Sequence, residues 1–299
     1  MTTPLAFSKM HWTDWQTLTT QTPFTAESLR ETLDGGQAFR WSQTREENSW
    51  QGIWSRHLIQ LRLDPRQRLQ VRRPRNNDFT TESTIGDYLL LDTDWKAITN
   101  ELPWRSDLHL KASIQAFPEL RLLNQPFPET LLCFLCSATK QIPQIKIMCS
   151  NMANELGTEI ASDGTRALPT WEQIARSTEE ILRSLGLGFR AKNIKRTADL
   201  IARDPGCLEE IETLPYEEAK ERLLVFPGVG SKIADCALLF GARRYAAFPV
   251  DTWILKVLRK RYGLDAWANP QLEQFGRVHL GPYAGYAQQY LFAYERAMR

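Results

Sequence analysis

Between Trp50 and Leu63 apolar and polar residues alternate, with Ile53, Leu61 and Leu63 set among polar neighbours, and Leu69 and Val71 repeat the pattern. A period of two places alternate side chains on one face of a strand, so the chain from Trp12 to about Arg75 reads as β. Turns are expected at Asp34-Gly35-Gly36 and Asp64-Pro65. From Thr84 the pattern turns helical. Asp92-Thr93-Asp94 is an N-cap cluster ahead of Trp95 to Leu102, and Pro128 opens a helix running through Leu135. Between them, Phe117 to Asn124 reads as a short apolar helix or turn. From Tyr216 to Val225, Ala219, Leu223 and Leu224 share one face of a 3.6-residue period among Glu, Lys and Arg. The expected fold class is α+β: a small antiparallel β domain over 1–83, then a mainly helical region over 84–299.

The helical region contains a helix-hairpin-helix, 216–242, whose turn is Pro227-Gly228-Val229-Gly230. Gly228 and Gly230 permit positive φ and leave the backbone open to a ligand, and the helix opening at Ser231 favours an anion at its N-terminus. Such a turn suits a DNA phosphate; it is also a common helical connection. Lys232 lies in the first turn of that helix, where a cation opposes the dipole and stability would not place it. Packed among Val229, Ile233 and Cys236, it is expected to spend more time as a free amine, a candidate nucleophile. In the segment 248–262, Asp251 follows Pro249-Val250 and is placed to cap the helix Thr252 to Tyr262, the commonest use of such an Asp.

FPGVGSKIADCALLF followed by FPVDTW resembles the helix-hairpin-helix, Gly/Pro-Asp superfamily of base-excision DNA glycosylases, and the Lys-to-Asp spacing is that of its lysine-bearing members. Within it the chain is similar to the 8-oxoguanine DNA glycosylase family: GQAFRW at 36–41, LGLGFRA at 185–191 and GPYAGYAQ at 281–288 match in order. The resemblance covers most of the chain from about Thr25. It implies that Lys232 forms a Schiff base with the sugar and that Asp251 steadies the charge developing there. It also implies that Cys236 and Phe292 sandwich an extruded base, that Gln288 bonds its Watson–Crick edge and that the Gly36 carbonyl accepts from N7–H of oxidised guanine. Phe189, where the family commonly has Tyr, becomes a wedge in the duplex, and Arg190 a reader of the opposite strand. Read without the resemblance, Cys236, Phe292 and Phe189 are ordinary core residues, Gly36 is a hairpin glycine, and Lys192, Lys195 and Arg196 form a solvated helix face.

The chain departs from the family at three places. Thr139, Lys140 and Gln141 replace a run of asparagines that reads the orphaned cytosine, Gln144 replaces an arginine, and Trp253 replaces a histidine near the backbone contact. Thr139 offers one hydroxyl where an amide offers two points, so a relaxed opposite-base preference is expected.

Composition narrows the rest. A 42% hydrophobic content over 299 residues is ample for a core, and a net charge of +2 requires any DNA contact to be a local patch. Five scattered cysteines suggest neither a disulfide framework nor a zinc or iron–sulfur site, and the C-terminal four-cysteine cluster of some relatives is missing. The expected cofactor is therefore none, although the carbonyls of the hairpin turn are able to hold a monovalent cation. Most of the ten tryptophans are expected to pack rather than stack on bases. No apolar run long enough to span a membrane occurs, and a cytoplasmic monomer acting on double-stranded DNA with a damaged base is expected. Two further readings stay open: a glycosylase for an alkylated purine, and a non-catalytic DNA-binding or lesion-sensing protein.

Overall fold

In the computed structural model, which describes residues 10–46, 48–77 and 79–298, the alternating N-terminal pattern forms one antiparallel sheet. Strands β1 (Gln16–Thr17), β2 (Trp41–Gln43), β3 (Ser49–Trp54), β4 (His57–Leu63) and β5 (Leu69–Arg72) lie in the order β1-β5-β4-β3-β2. Register sets the inner face. Leu61 pairs with Trp50 and Leu58 with Ile53, so Ile53 falls on the face opposite Leu61 and Leu63. Trp50 and Trp54 fill the inner face instead, both buried. Trp54 stacks on Tyr88 at 4.1 Å, and Trp41 Nε1 donates to the Tyr88 hydroxyl at 3.0 Å. Trp41 lies across Gly52, where a Cβ would come within 2.4 Å of the indole, so only glycine fits that strand position.

The expected run of β is interrupted by helix α1 (Ala26–Asp34). Thr25 and Ser28 form a capping box, at 3.0 and 2.9 Å, and Leu29 and Leu33, four apart, bury against the sheet. Residues 34–36 are consequently a helix exit and not a hairpin turn.

The remaining helices are α2 (Glu82–Leu89), α3 (Trp95–Glu101), α4 (Leu108–Ala116), α5 (Phe127–Cys136), α6 (Ile142–Leu156), α7 (Trp171–Arg176), α8 (Glu179–Leu182), α9 (Arg190–Arg203), α10 (Cys207–Thr213), α11 (Tyr216–Leu224), α12 (Ser231–Gly241), α13 (Thr252–Tyr262), α14 (Asn269–Leu280) and α15 (Ala284–Ala297). Asp94 caps α3, accepting from the Ala97 amide at 2.9 Å, and Pro128 stands in the first turn of α5. The apolar layer behind the sheet takes in Ile85, Tyr88, Leu89 and Leu123, beyond residue 83; a larger core fills the helical region. Among the described residues no helix is long and apolar enough to cross a membrane.

Phe117–Asn124 forms no helix: a turn at Pro118 and Glu119 opens it, and the rest has no regular structure. After α4 it runs between the two cores, with Leu120 and Leu122 in one and Leu123 in the other. Arg121 is fully buried there, donating to the carbonyls of Thr22 and Pro23 at 3.0 and 2.9 Å. Gln37 completes the junction: its amide donates to Arg121 O and accepts from Leu123 N–H, and its own carbonyl accepts from Gln125. Those bonds fix the chain beside Gly36.

Candidate active site

The hairpin turn is built asymmetrically. Gly228 sits at φ +83, and a Cβ there would stand 2.9 Å from Asn193 Cβ, so both conformation and space demand glycine. Gly230 departs from expectation: at φ −97 it is ordinary extended backbone and N-caps α12, with open space where its Cβ would point. Thr197 Oγ1 donates to Pro227 O at 3.0 Å and pins the turn to α9. Behind it, buried Asp235 accepts from the Tyr216 hydroxyl at 2.7 Å and Lys220 Nζ at 2.9 Å. Glu273 accepts from the same lysine and from Ser231 Oγ, tying α11, α12 and α14 together at the first turn of α12. Burial pushes the Asp235 carboxyl up to about 6, against the pull of Lys220 and Tyr216.

A cavity of about 1580 Å³ opens on this turn, and Lys232 and Asp251 both line it. Of the neighbours expected for Lys232, Cys236 lies within reach of its amine, and the other two do not surround it. Val229 and Ile233 are buried in the core, whereas Lys232 Nζ donates to Ser137 Oγ at 3.0 Å and stands 5.0 Å from the centre of the Phe134 ring. Asp251 is the N-cap of α13, its Oδ1 accepting from the amides of Trp253 and Ile254 at 3.0 and 2.8 Å. Both cap bonds end on Oδ1, so Oδ2 is not committed to the cap. Burial raises its carboxyl above the ordinary value, while the Ile254 amide and the charge of Lys232 pull it back. Capping and facing a cationic neighbour are thus compatible uses of one side chain.

Gly36, Cys236, Gln288 and Phe292 line the same cavity. Cys236, one helical turn beyond Lys232, is buried; its thiol is pushed up to about 12 by burial, so it stays a neutral, soft wall at neutral pH. Gly36, at φ +106, has Ile142 Cδ1 at 2.8 Å and Phe292 Cε1 at 3.7 Å from where a Cβ would stand, so its backbone comes close to the cavity floor. Gln288 is 2% exposed, with its Nε2 donating to Pro249 O at 3.2 Å and its Oε1 accepting from Gln289 Nε2 at 2.7 Å. Gln289 orients it and carries no signal in the sequence beyond adjacency. Arg296 holds the far side, donating to both Glu31 carboxylate oxygens at 2.8 and 2.6 Å and to Gly35 O at 3.0 Å.

Of the expected DNA contacts, Gly228, Gly230, Thr139 and Trp253 line the cavity; Lys256 Nζ lies 5.8 Å from the centre of the Trp253 ring. Phe189, 60% exposed, projects after Gly186 and Gly188, both at positive φ. Arg190 does not reach outward. It is 4% exposed, donating to Leu187 O at 3.2 Å, to Thr139 Oγ1 at 2.9 Å and to the carbonyl of Ala138. In this conformation it joins two loops instead of presenting its fork to a strand. Gln144 accepts from the Gln141 amide at 3.2 Å, a capping box for α6. Ser137, Phe134 and Arg296 escape a reading by spacing, because each reaches its partner from a distant part of the chain.

The chain matches the model of the 8-oxoguanine DNA glycosylase N-terminal domain over residues 21–131 and that of the HhH-GPD superfamily of base excision DNA repair proteins over 134–277. It is 30% identical to N-glycosylase/DNA lyase OGG1 of Arabidopsis thaliana, over 98% of this chain and 84% of that one. With N-glycosylase/DNA lyase of Saccharomyces cerevisiae it shares 28% identity, over 89% and 83%. Clostridium acetobutylicum 8-oxoguanine glycosylase/lyase, solved in complex with double-stranded DNA containing cytosine opposite 8-oxoG, superposes with a TM-score of 0.83 at 33% identity, over 90% of this chain and 92% of that one. This chain belongs to the 8-oxoguanine DNA glycosylase family of the HhH-GPD superfamily.

Proposed function

We propose that the chain is a bifunctional DNA glycosylase and AP lyase that excises 8-oxoguanine from duplex DNA and then cuts the strand, in base-excision repair. The observation that carries this reading is the meeting of Lys232 and Asp251 on one cavity whose walls also include Gly36, Cys236 and Phe292. A base inside a stacked duplex is out of reach, so the nucleotide is turned out into the cavity. Cys236 and Phe292 flank it, Gln288 bonds its edge, and the Gly36 carbonyl accepts from N7–H, which normal guanine lacks. Phe189 fills the gap in the stack.

Lys232, as free amine, attacks C1′; the N–C1′ bond forms and the bond from C1′ to the base breaks, its electron pair leaving with the base, which takes up a proton. The attacking nitrogen gives up a proton and the sugar ring opens to a Schiff base. Loss of a proton from C2′ then expels the 3′ phosphate, cutting the strand. The Asp251 carboxylate stabilises the positive charge on the sugar as the base departs. Amine and carboxylate supply both steps, so we read the site as working without a cofactor. Borohydride trapping on duplex DNA bearing 8-oxoguanine should give a covalent adduct that Lys232→Gln abolishes. An adduct persisting in that variant would remove Lys232 from the mechanism, and no adduct from the unaltered chain would leave a DNA-binding protein only.

A further inference from the structure

We infer that Ser137 is a positioning residue that sets the direction in which Lys232 presents its lone pair, an inference resting on the reading of Lys232 as the attacking amine. Ser137 caps the C-terminus of α5 and is 9% exposed. Its N–H and its Oγ both donate to the carbonyl of Phe134, at 3.0 and 2.7 Å. A hydroxyl has one proton to give. With that proton committed to a backbone carbonyl, Oγ meets Lys232 Nζ, 3.0 Å away, only as an acceptor, and the nitrogen must be the donor.

A free amine carries two N–H bonds and one lone pair. Once one N–H is held by Ser137, rotation about the terminal C–N bond no longer averages the lone pair over all directions, and it points away from α5. The face of the Phe134 ring closes a second side, and that ring is itself stacked on Phe240 at 5.5 Å. Cys236, one turn further along α12, borders the amine as well, and the side left open is the cavity shared with Asp251. After the N–C1′ bond forms, the nitrogen keeps one N–H into the protonated Schiff base, and the same oxygen is placed to accept it. Four torsions make lysine a loose nucleophile; a fixed acceptor at its tip converts a mobile amine into an aimed one.

Ser137→Thr and Ser137→Val add nearly the same bulk and differ in the hydroxyl, so comparing them separates aim from packing. The assay is single-turnover borohydride trapping on a duplex with a preformed abasic site, which omits base departure and isolates imine formation. DNA affinity and thermal melting are measured alongside. Ser137→Thr should stay within about threefold of the unaltered chain, and Ser137→Val should trap about tenfold more slowly with DNA affinity unchanged. Ser137→Ala, smaller than serine, should match Val, so the result does not depend on accommodating a methyl group. Equal rates for Thr and Val, or a Val defect no larger than its loss of DNA affinity, would overturn the inference. No adduct from the unaltered chain would instead overturn the assignment of Lys232 and take this inference with it.

Discussion

Lys232, Cys236, Asp251 and Gln288 are buried or half-buried on a helix or its cap, whereas Thr139 and Phe189 stand exposed, the first in a turn and the second at the N-cap of α9. Thr139 is at φ +58, a rare conformation for a β-branched residue, and Phe189 follows two glycines at positive φ. On the proposed mechanism the contrast follows from what each part would handle. Bond-making needs placement within fractions of an ångström, which packed helices provide; a duplex that must be opened needs a surface that can accommodate it. Arg190 joins the two regimes, a buried guanidinium holding an exposed loop.

That division is most directly challenged at Asp251. Asp251→Asn keeps an oxygen for the cap, so DNA affinity should hold while single-turnover excision falls on the order of 10²–10³-fold; an unchanged rate would remove its role. The pH profile sharpens the point. Because burial raises the Asp251 carboxyl, the carboxylate is present above that raised value and is lost as pH falls through it. The acid limb of excision should therefore lie above the ordinary 3.8 and vanish in the Asn variant. Arg190→Ala comes next: it leaves the buried Leu187 carbonyl and the half-buried Ala138 carbonyl without this donor and should lower stability by about 2 kcal/mol, seen in denaturant unfolding. Stability unchanged with DNA binding lost would return Arg190 to the DNA-reading side. Phe189→Ala should slow excision about tenfold and spare melting, since an exposed ring adds little to the core; a stability loss instead would make it structural. Smallest is the effect at Thr139, where excision opposite each of the four bases should differ by only about threefold, an aim one hydroxyl cannot narrow. A strong preference for cytosine would show the rim to be as selective as the chemical wall.

Much of the proposed chemical wall was legible because it is local: Lys232 and Cys236 lie one turn apart, as do Gln288 and Phe292, and Asp251 caps the next helix. The bounds of α11 and α13 follow from caps and periodicity for the same reason, whereas α14 carries no such signal in this reading. What was not legible is non-local. Helix α1 was hidden because its capping box uses Ser28 where Glu or Gln would announce it. Ser137 lies 95 positions from Lys232, and nothing in CSATK marks its hydroxyl as a partner. The buried place of Arg190 is not announced by its neighbours in sequence, since arginine is rarely buried and only the converging carbonyls of Ala138 and Leu187 explain it.

The junction at Gln37 carries a wider implication. The carbonyl proposed to tell oxidised from normal guanine rides on the end of α1, latched to the helical region by Gln37, by Arg296 on Glu31 and by Lys146 on Asp34. On that reading the one contact specific to the oxidised base rides on one packed body, and the amine that attacks the sugar on the other. Loosening the latch would blur the first while sparing the second, so fidelity and turnover can be tuned apart over evolutionary time.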